Sequence, residues 1–483
     1  MQLLSILRIM GILLMMFSFT MLPPAAIGFA YGDGDVMPFI WSFSLNLISG
    51  LLLWFPVRKH RVELRLRDGF VVVVVFWLVW GLAGAVPFLF SKNPAIGISD
   101  AVFESISALT TTGATVITNI ESLPHSILFY RQQLQWMGGM GIIVLAVAVL
   151  PMLGIGGMQL YRAETPGPMK DNKLTPRITE TAKALWYIYL GLTIICAAAY
   201  WAAGMGGFDA VSHAFSTIAI GGFSTHDASI GYFNSRAIEV VAIIFMILAG
   251  LNFSLHFVAW RSLNPRVYLQ DPEAQTYLLI LLIVSFITTG YLYISHTYDS
   301  FLDALHHGIF QAVSIGTTSG FSTAEYGSWP GFLPVLLIFS SFIGGCAGST
   351  GGGLKVIRFL LLFKQGLREI TRLIHPTAQI AVKIGKKALP ERVINAVWGF
   401  FSLYVASFVL LMLTLMAMGM DQITAFSAVA ACMNNLGPGL GEVGLNYASI
   451  SDQAKWVLGF AMLLGRLEIF TLLVLFTTTF WRK

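Results

Sequence analysis

The sequence predicts an all-α integral membrane protein: four repeats of helix, re-entrant pore loop and helix (M1–P–M2) around a single pore, preceded by two further transmembrane helices. Three observations predict it. Of 483 residues, 56% are hydrophobic and only 11% charged, more apolar surface than a water-soluble chain of this size can hide. Ten apolar runs are long enough to cross a bilayer, near 3–30, 37–56, 70–91, 126–151, 181–205, 236–260, 275–296, 331–363, 395–420 and 452–480. Four fourteen-residue stretches, each between two such runs, align on one glycine: DAVFESISALTTTG ending at Gly113, DAVSHAFSTIAIGG at Gly222, HGIFQAVSIGTTSG at Gly320 and TAFSAVAACMNNLG at Gly437.

The first run continues past Met21 without a small-residue cleavage site, so it reads as a retained helix rather than a signal peptide. Cys196, Cys346 and Cys432 all lie in apolar segments, with no disulfide or metal spacing. Basic residues set the orientation. Arg58, Lys59, Arg61, Arg65 and Arg67 follow the second span. Arg162, Lys170, Lys173, Arg177 and Lys183 follow the fourth, and Lys364, Arg368, Arg372, Lys383, Lys386, Lys387 and Arg392 the eighth. The other connections are nearly bare, so both termini are expected in the cytoplasm and the four glycine stretches outside. The expected units are 1–69 (two leading helices and a basic link), 70–180, 181–274, 275–394 (its second helix broken) and 395–483.

Non-helical backbone survives at membrane depth only where protein or a water-filled cavity satisfies it. Each stretch is therefore read as a short helix that descends partway, stopping at Thr112, Gly221, Ser319 or Leu436. A glycine then lets the chain return outward. Asp100, Asp209 and Thr424 are read as N-caps, and Asp303 as the start of the third copy. The alternative is that membrane loops are simply glycine-rich. Against it, the second position of each copy is small (Ala101, Ala210, Gly308, Ala425) and the copies occupy equivalent places in the topology.

An alkali cation is a hard ion, and backbone carbonyls can replace its water shell. Four extended strands around one axis would supply rings of such oxygens from Thr111, Thr112 and Gly113; Ile220, Gly221 and Gly222; Thr318, Ser319 and Gly320; and Asn435, Leu436 and Gly437. None of these residues is charged, so selection would rest on carbonyl dipoles, helped by the negative C-terminal ends of the four short helices.

These residues carry a resemblance. TTTGATV (110–116), IGGFSTHD (220–227), GCAGSTGGGLKVIR (345–358) and NNLGPGLG (434–441) resemble the TrkH branch of the Trk/Ktr/HKT potassium transporters, and the likeness runs through nearly the whole chain. It implies a potassium-translocating subunit of the bacterial inner membrane, a homodimer with one pore per protomer. It also implies potassium preference, because all four glycines are present, whereas serine at the first goes with sodium permeation in some plant members.

FIGGCAGSTGGGLK (342–355) interrupts the eighth apolar run. Each interior glycine costs a helix roughly 1 kcal/mol relative to alanine, so a broken helix with an intramembrane loop is expected. A gate below the pore loops, formed by Gly345, Gly348, Ser349, Thr350, Gly351, Gly352, Gly353 and Lys355, is the leading reading and is what the resemblance implies. The rivals are close helix packing through small residues and a phosphate loop. The latter is opposed by Leu354 between Gly353 and Lys355 and by the lack of a following Ser or Thr.

Arg466 lies in the apolar last run, where a charge faces a cavity or a partner. It either projects into the pore as an electrostatic barrier, as the resemblance implies, or forms an interior salt bridge with Glu468 or Glu104. Lys355 either lines the pathway or snorkels. Glu104 supports a helix start or draws cations to the mouth, and Asp227 is a second mouth candidate. Asn252 and His256 share a helix face suited to interhelical hydrogen bonds.

The cytoplasmic segments carry no dinucleotide fingerprint, so this chain is expected to bind no nucleotide itself and no nucleic acid; the transported potassium ion is its only expected ligand. The resemblance implies a separate partner, a TrkA-like cytoplasmic nucleotide-binding ring. Residues 364–392 and the Pro-bearing loop Glu164–Arg177 are the candidate contacts, with plain topology signal and anionic lipid as the alternative. A proton- or sodium-coupled symporter is the other functional class carried forward. A rocking transporter calls for inverted repeats, whereas these copies share one orientation. An enzyme calls for convergent catalytic side chains, and the sequence offers none.

Overall fold

A computed structural model describes residues 2–60, 66–144, 178–385 and 387–482 of the chain. The last residues of the expected fourth span, the loop Glu164–Arg177, Arg61, Arg65 and Lys386 lie outside the described residues.

Helices α1 (Leu3–Ser18), α2 (Leu22–Tyr31) and α3 (Met37–Trp54) lead the chain. Next come α4 (Leu66–Phe90), α5 (Ile98–Leu109), α6 (His125–Val144), α7 (Ile178–Ala202), α8 (Gly207–Ala219), α9 (Arg236–Ala249), α10 (Phe253–Ser262) and α11 (Arg266–Gln270). They are followed by α12 (Pro272–Ile294), α13 (Phe301–Gly316), α14 (Leu333–Ile343), α15 (Val356–Ile374), α16 (Glu391–Ala417), α17 (Gln422–Met433), α18 (Asp452–Arg466), α19 (Ile469–Leu473) and α20 (Thr478–Trp481). The strands among the described residues are a small antiparallel hairpin, β1 (Lys383–Ile384) and β2 (Lys387–Ala388).

The helices α1 and α3 cross at Gly11 and Gly50. A β-carbon at Gly11 would come within 2.8 Å of the Gly50 carbonyl, and one at Gly50 within 2.9 Å of the Gly11 carbonyl. Only two bare α-carbons allow this approach, the small-residue packing expected where lipid offers no hydrophobic drive between helices.

Among the described residues, six helical segments are long and apolar enough to cross a membrane, and two bent pairs qualify if each pair is one span. The bends correct two spans expected as straight. Helices α9 and α10 meet at 97°. There α9 stops at Gly250, and Asn252 starts α10 by accepting the Ser254 amide at 2.8 Å. The stretch expected at 452–480 bends by 115°, with Glu468 at φ 56° between α18 and α19. The eighth apolar run is α14, a non-helical segment over 344–355, then α15.

The long helices turn bulky apolar side chains outward, among them Phe29, Phe286 and Ile294, as a lipid solvent requires. The short helices α5, α8, α13 and α17 are buried over nearly their whole length after the first turn. Each lies in a connection between longer helices, and together they place four chain reversals in the middle of the molecule.

Candidate functional site

The four short helices end alike. Thr111, Ile220, Thr318 and Asn435 take left-handed φ values of 53°, 53°, 67° and 53°. Their amides donate three residues back, to Ala108, Thr217, Ile315 and Cys432, at 3.0–3.2 Å. The next amides, of Thr112, Gly221, Ser319 and Leu436, donate five residues back, to Ser107, Ser216, Ser314 and Ala431, at 2.7–2.9 Å. This paired bonding is the Schellman ending, which glycine usually supplies at its left-handed position. Here three of the four residues are β-branched, a conformation that costs of order 1–3 kcal/mol and persists where surroundings over-determine it. The helices therefore stop at Leu109, Ala219, Gly316 and Met433, two or three residues before the expected stops. Their starts are also earlier. Asp100, Asp209 and Asp303 lie in first turns rather than at caps, while Ser300 and Asp421 are the capping residues of α13 and α17.

One residue further on are the four glycines, again left-handed: Gly113 at 80°, Gly222 at 76°, Gly320 at 82° and Gly437 at 99°. They close a ring in chain order. A β-carbon at Gly113 would strike the Gly221 carbonyl, one at Gly222 the Ser319 carbonyl, one at Gly320 the Leu436 carbonyl, and one at Gly437 the Thr112 carbonyl. All twelve residues from Thr111–Gly113, Ile220–Gly222, Thr318–Gly320 and Asn435–Gly437 are thus brought together. Left-handed φ alternates with negative φ along each trio, which turns successive peptide planes the same way instead of letting their carbonyls alternate, as in a strand.

Each returning strand is tied to its own short helix by a polar side chain, and the tie differs each time. Glu104 accepts the Thr115 hydroxyl at 3.0 Å and the Val116 amide at 3.0 Å. His213 bonds the Ser224 hydroxyl at 2.8 Å, Gln311 reaches Ser322 and the Ala324 carbonyl, and Ser427 bonds both Leu440 backbone groups. Neighbouring quarters are joined as well. Gln135 donates to the Gly221 carbonyl at 2.6 Å and accepts the Phe223 amide at 3.2 Å, while Asn435 donates to the Thr112 hydroxyl at 3.0 Å. Asp227 accepts the Ile120 amide, so it braces two loops.

The non-helical segment of the eighth run packs against the ends of the short helices. Gly352 donates its amide to the Thr318 hydroxyl at 2.7 Å, Gly353 to the Asn434 carbonyl at 3.1 Å, and the Thr350 hydroxyl lies 2.9 Å from the Ile218 carbonyl. Helix ends leave carbonyls without intrahelical partners, and this segment satisfies several of them. Close approach makes glycine necessary: a β-carbon at Gly352 would strike the Asn434 carbonyl, and one at Gly351 would lie 3.0 Å from the Thr317 carbonyl. Gly345 and Gly348 anchor the other end, where the Cys346 amide meets the Gly250 carbonyl at 2.8 Å and the Gly348 carbonyl meets the Phe253 amide at 3.1 Å. Ser349 closes a turn onto the Cys346 carbonyl at 2.6 Å. Lys355 turns its ammonium back onto the Gly351 carbonyl instead of snorkelling.

Arg466 is buried and donates to the Thr350 and Gly138 carbonyls, both at 3.0 Å. Neither carboxylate considered for it is its partner: Glu468 pairs with Arg358 at 2.9 Å, and Glu104 with Arg131 at 2.9 Å. Arg466 and the segment 351–353 line a cavity of ≈ 20 Å³, which Lys355, Tyr404 and Asn435 also border.

A family model described as TrkH, cation transport protein, matches residues 36–483. The chain belongs to the TrkH family. That family transports cations and is not one of enzymes. Among relatives, "Trk system potassium uptake protein TrkH" of Vibrio parahaemolyticus is 60% identical over 100% of both chains. "Trk system potassium uptake protein TrkG" of Escherichia coli strain K12 is 43% identical over 98% of this chain and 97% of its own. The crystal structure of the potassium transporter TrkH from Vibrio parahaemolyticus superposes with a TM-score of 0.93 at 58% identity, covering 100% of each chain.

In this TrkH-family chain two buried charged side chains near the candidate site escaped the sequence reading. Arg131, inside an apolar run, was a detectable signal of the same kind as Arg466. Glu273 follows Asp271 and Pro272 and looks like an ordinary helix start, yet it is buried and accepts the Ala347 and Ile357 amides. Asn252 and His256 hold the bend between α9 and α10, His256 bridging the Leu248 carbonyl and the Tyr268 hydroxyl at 2.9 and 2.8 Å.

Proposed function

We propose that this chain is the ion-conducting subunit of a bacterial potassium uptake system in the cell inner membrane, with both termini cytoplasmic. Support comes first from the relatives, whose names are those of potassium uptake proteins. The observation that carries the reading is the cyclic approach of Gly113, Gly222, Gly320 and Gly437, each against the carbonyl that precedes the next. Four strands so arranged, with φ alternating in sign, are suited to hold a dehydrated monovalent cation in carbonyl cages. The four units 70–180, 181–274, 275–394 and 395–483 then each contribute one M1–P–M2 repeat to a single pore behind the leading pair 1–69.

The segment 345–355 and Arg466 act as the gate. The segment lies against the ends of the short helices, where an ion leaving the carbonyl cages would have to pass. Pore-helix C-terminal ends favour a cation there. In the closed arrangement the Arg466 guanidinium and the Lys355 ammonium are tethered cations in its place. Opening requires Arg466 to release the Thr350 carbonyl and the segment to withdraw. Control by a TrkA-like cytoplasmic nucleotide-binding ring through 364–392 fits the exposed Lys383 and Arg392 there, and the protein works as a homodimer in contact with membrane lipid. No side-chain relay for protons is needed by this scheme, which favours conduction over proton- or sodium-coupled symport.

Labelled-rubidium uptake into proteoliposomes, with sodium and lithium as competitors, tests the proposal. Uptake suppressed by excess potassium but not by sodium is expected. Saturable uptake that requires a sodium or proton gradient would support the symporter instead.

A further inference from the structure

We propose that Glu273 is the latch of the glycine segment, a positioning residue that holds it shut from the side away from the glycine ring. The proposal rests on the reading of 345–355 as a gate. Glu273 is the second residue of α12 and is buried, although a carboxylate is costly to bury alone. Its Oε1 accepts two amides, one near the start of the segment and one just past its end: Ala347 at 2.7 Å and Ile357 at 3.2 Å. The segment is thereby closed into a loop over one oxygen.

Helix geometry explains why the acid is stable there. Ile357 is in the first turn of α15, where the preceding Lys355 supplies no side-chain cap. Glu273 caps that helix from another element. It also stands in the first turn of its own helix, which Asp271 fixes by accepting the Glu273 and Ala274 amides at 3.0 and 2.9 Å. Two helix N-termini, each with partial positive charge, therefore converge on one carboxylate.

The same face of α12 holds the other anchor of the segment. Tyr277, one turn after Glu273, places its hydroxyl 3.3 Å from the Ile247 carbonyl and fills the space beside Gly250. Gly250 in turn receives the Cys346 amide. Shifting the start of α15 away from α12 thus breaks the capping bond from Ile357, which couples the basic helix α15 to the side chain that also holds Ala347.

The test uses the full chain in proteoliposomes, with Cys196→Ser and Cys432→Ser leaving Cys346 as the reporter. Glu273→Ala should raise rubidium flux and the rate of maleimide labelling at Cys346 by roughly tenfold each, with the preference for potassium over sodium unchanged. Glu273→Gln keeps an acceptor oxygen and should rise less. Glu273→Asp keeps the charge but draws it back by one methylene, and it should also raise both readouts; it serves where the alanine variant does not fold. A folded Ala or Asp variant with native flux and native Cys346 protection overturns the latch, provided that deletion of Gly351–Gly353 raises flux. If that deletion leaves flux native, the gate reading itself fails and the latch falls with it.

Discussion

Glu104 and Arg131, both buried, form an ion pair 2.9 Å long between the first short helix and the long helix that follows. The pair reaches beyond its own repeat. Arg131 also donates to the Thr115 hydroxyl at 3.1 Å and the Ser224 carbonyl at 3.2 Å, and its guanidinium covers the Phe223 ring at 4.1 Å. One buried charge pair therefore fastens the returning strands of two adjacent quarters. Glu104 neither caps a helix nor lines an open mouth.

Breaking this pair leaves a buried charge alone, which costs about 3–5 kcal/mol. Glu104→Gln or Arg131→Met should lower the thermal unfolding midpoint of the detergent-solubilised protein and weaken discrimination against sodium. The double variant should lose less than the sum of the two, as coupled sites do. Additive losses would show that the two side chains act independently.

Any side chain at the ring glycines collides with a carbonyl of the next strand. Gly222→Ala and Gly320→Ala should each abolish selective potassium uptake while leaving the protein folded, read as rubidium flux against sodium competition. Equal effects at both positions are expected from the cyclic geometry; native selectivity in either variant would argue against a shared ring function.

Arg466 donates to the Thr350 carbonyl, a bond that the proposed gate must release to open. Arg466→Ala should raise flux several-fold, since a hydrogen bond from a charged group contributes about 1.5–3 kcal/mol. A folded variant with native flux would assign Arg466 a packing role only.

Much of the positive charge on 364–392 is already engaged. Arg368 and Arg372 pair with Glu369 and Glu391, and Lys364 bonds the Lys383 carbonyl at 2.7 Å. Reversing Arg392 and Lys383 should weaken co-purification with a TrkA-like ring, whereas reversing Arg372 should mainly disturb the local fold. Unchanged co-purification in the first variant would place the partner elsewhere.

Asp421 caps the fourth short helix, and bonds from the Thr424 hydroxyl and the Thr424 and Ile423 amides hold its carboxyl below the usual carboxylate range. Because the folded value is depressed, the contribution is present above the unfolded carboxylate pKa and is lost as pH falls through the folded one. Asp421→Asn keeps an acceptor and should remove this acid-dependent part, measured as thermal stability against pH.

The glycine columns and the broken eighth run were legible because both rest on residues with a single physical use: glycine where backbone must be left-handed or close. Helix ends were less legible. Thr111, Ile220, Thr318 and Asn435 occupy positions where glycine is the usual signal, so the stops read two or three residues late. The bend at Gly250 was hidden because Asn252 reads equally well as a helix-face hydrogen bonder and as a cap. Glu273 was hidden because its partners, the Ala347 and Ile357 amides, are contributed by backbone more than seventy residues away and leave no trace in side-chain patterning.

The four ties between short helix and returning strand use an acid, an imidazole, an amide and a hydroxyl, at Glu104, His213, Gln311 and Ser427. In an assembly of four identical chains, one substitution would be imposed on every quadrant at once. Here each quadrant is encoded separately, so its rigidity can drift or be engineered alone while the other three ties stay as they are. The stiffness of the glycine ring can therefore be set in steps of a single quarter.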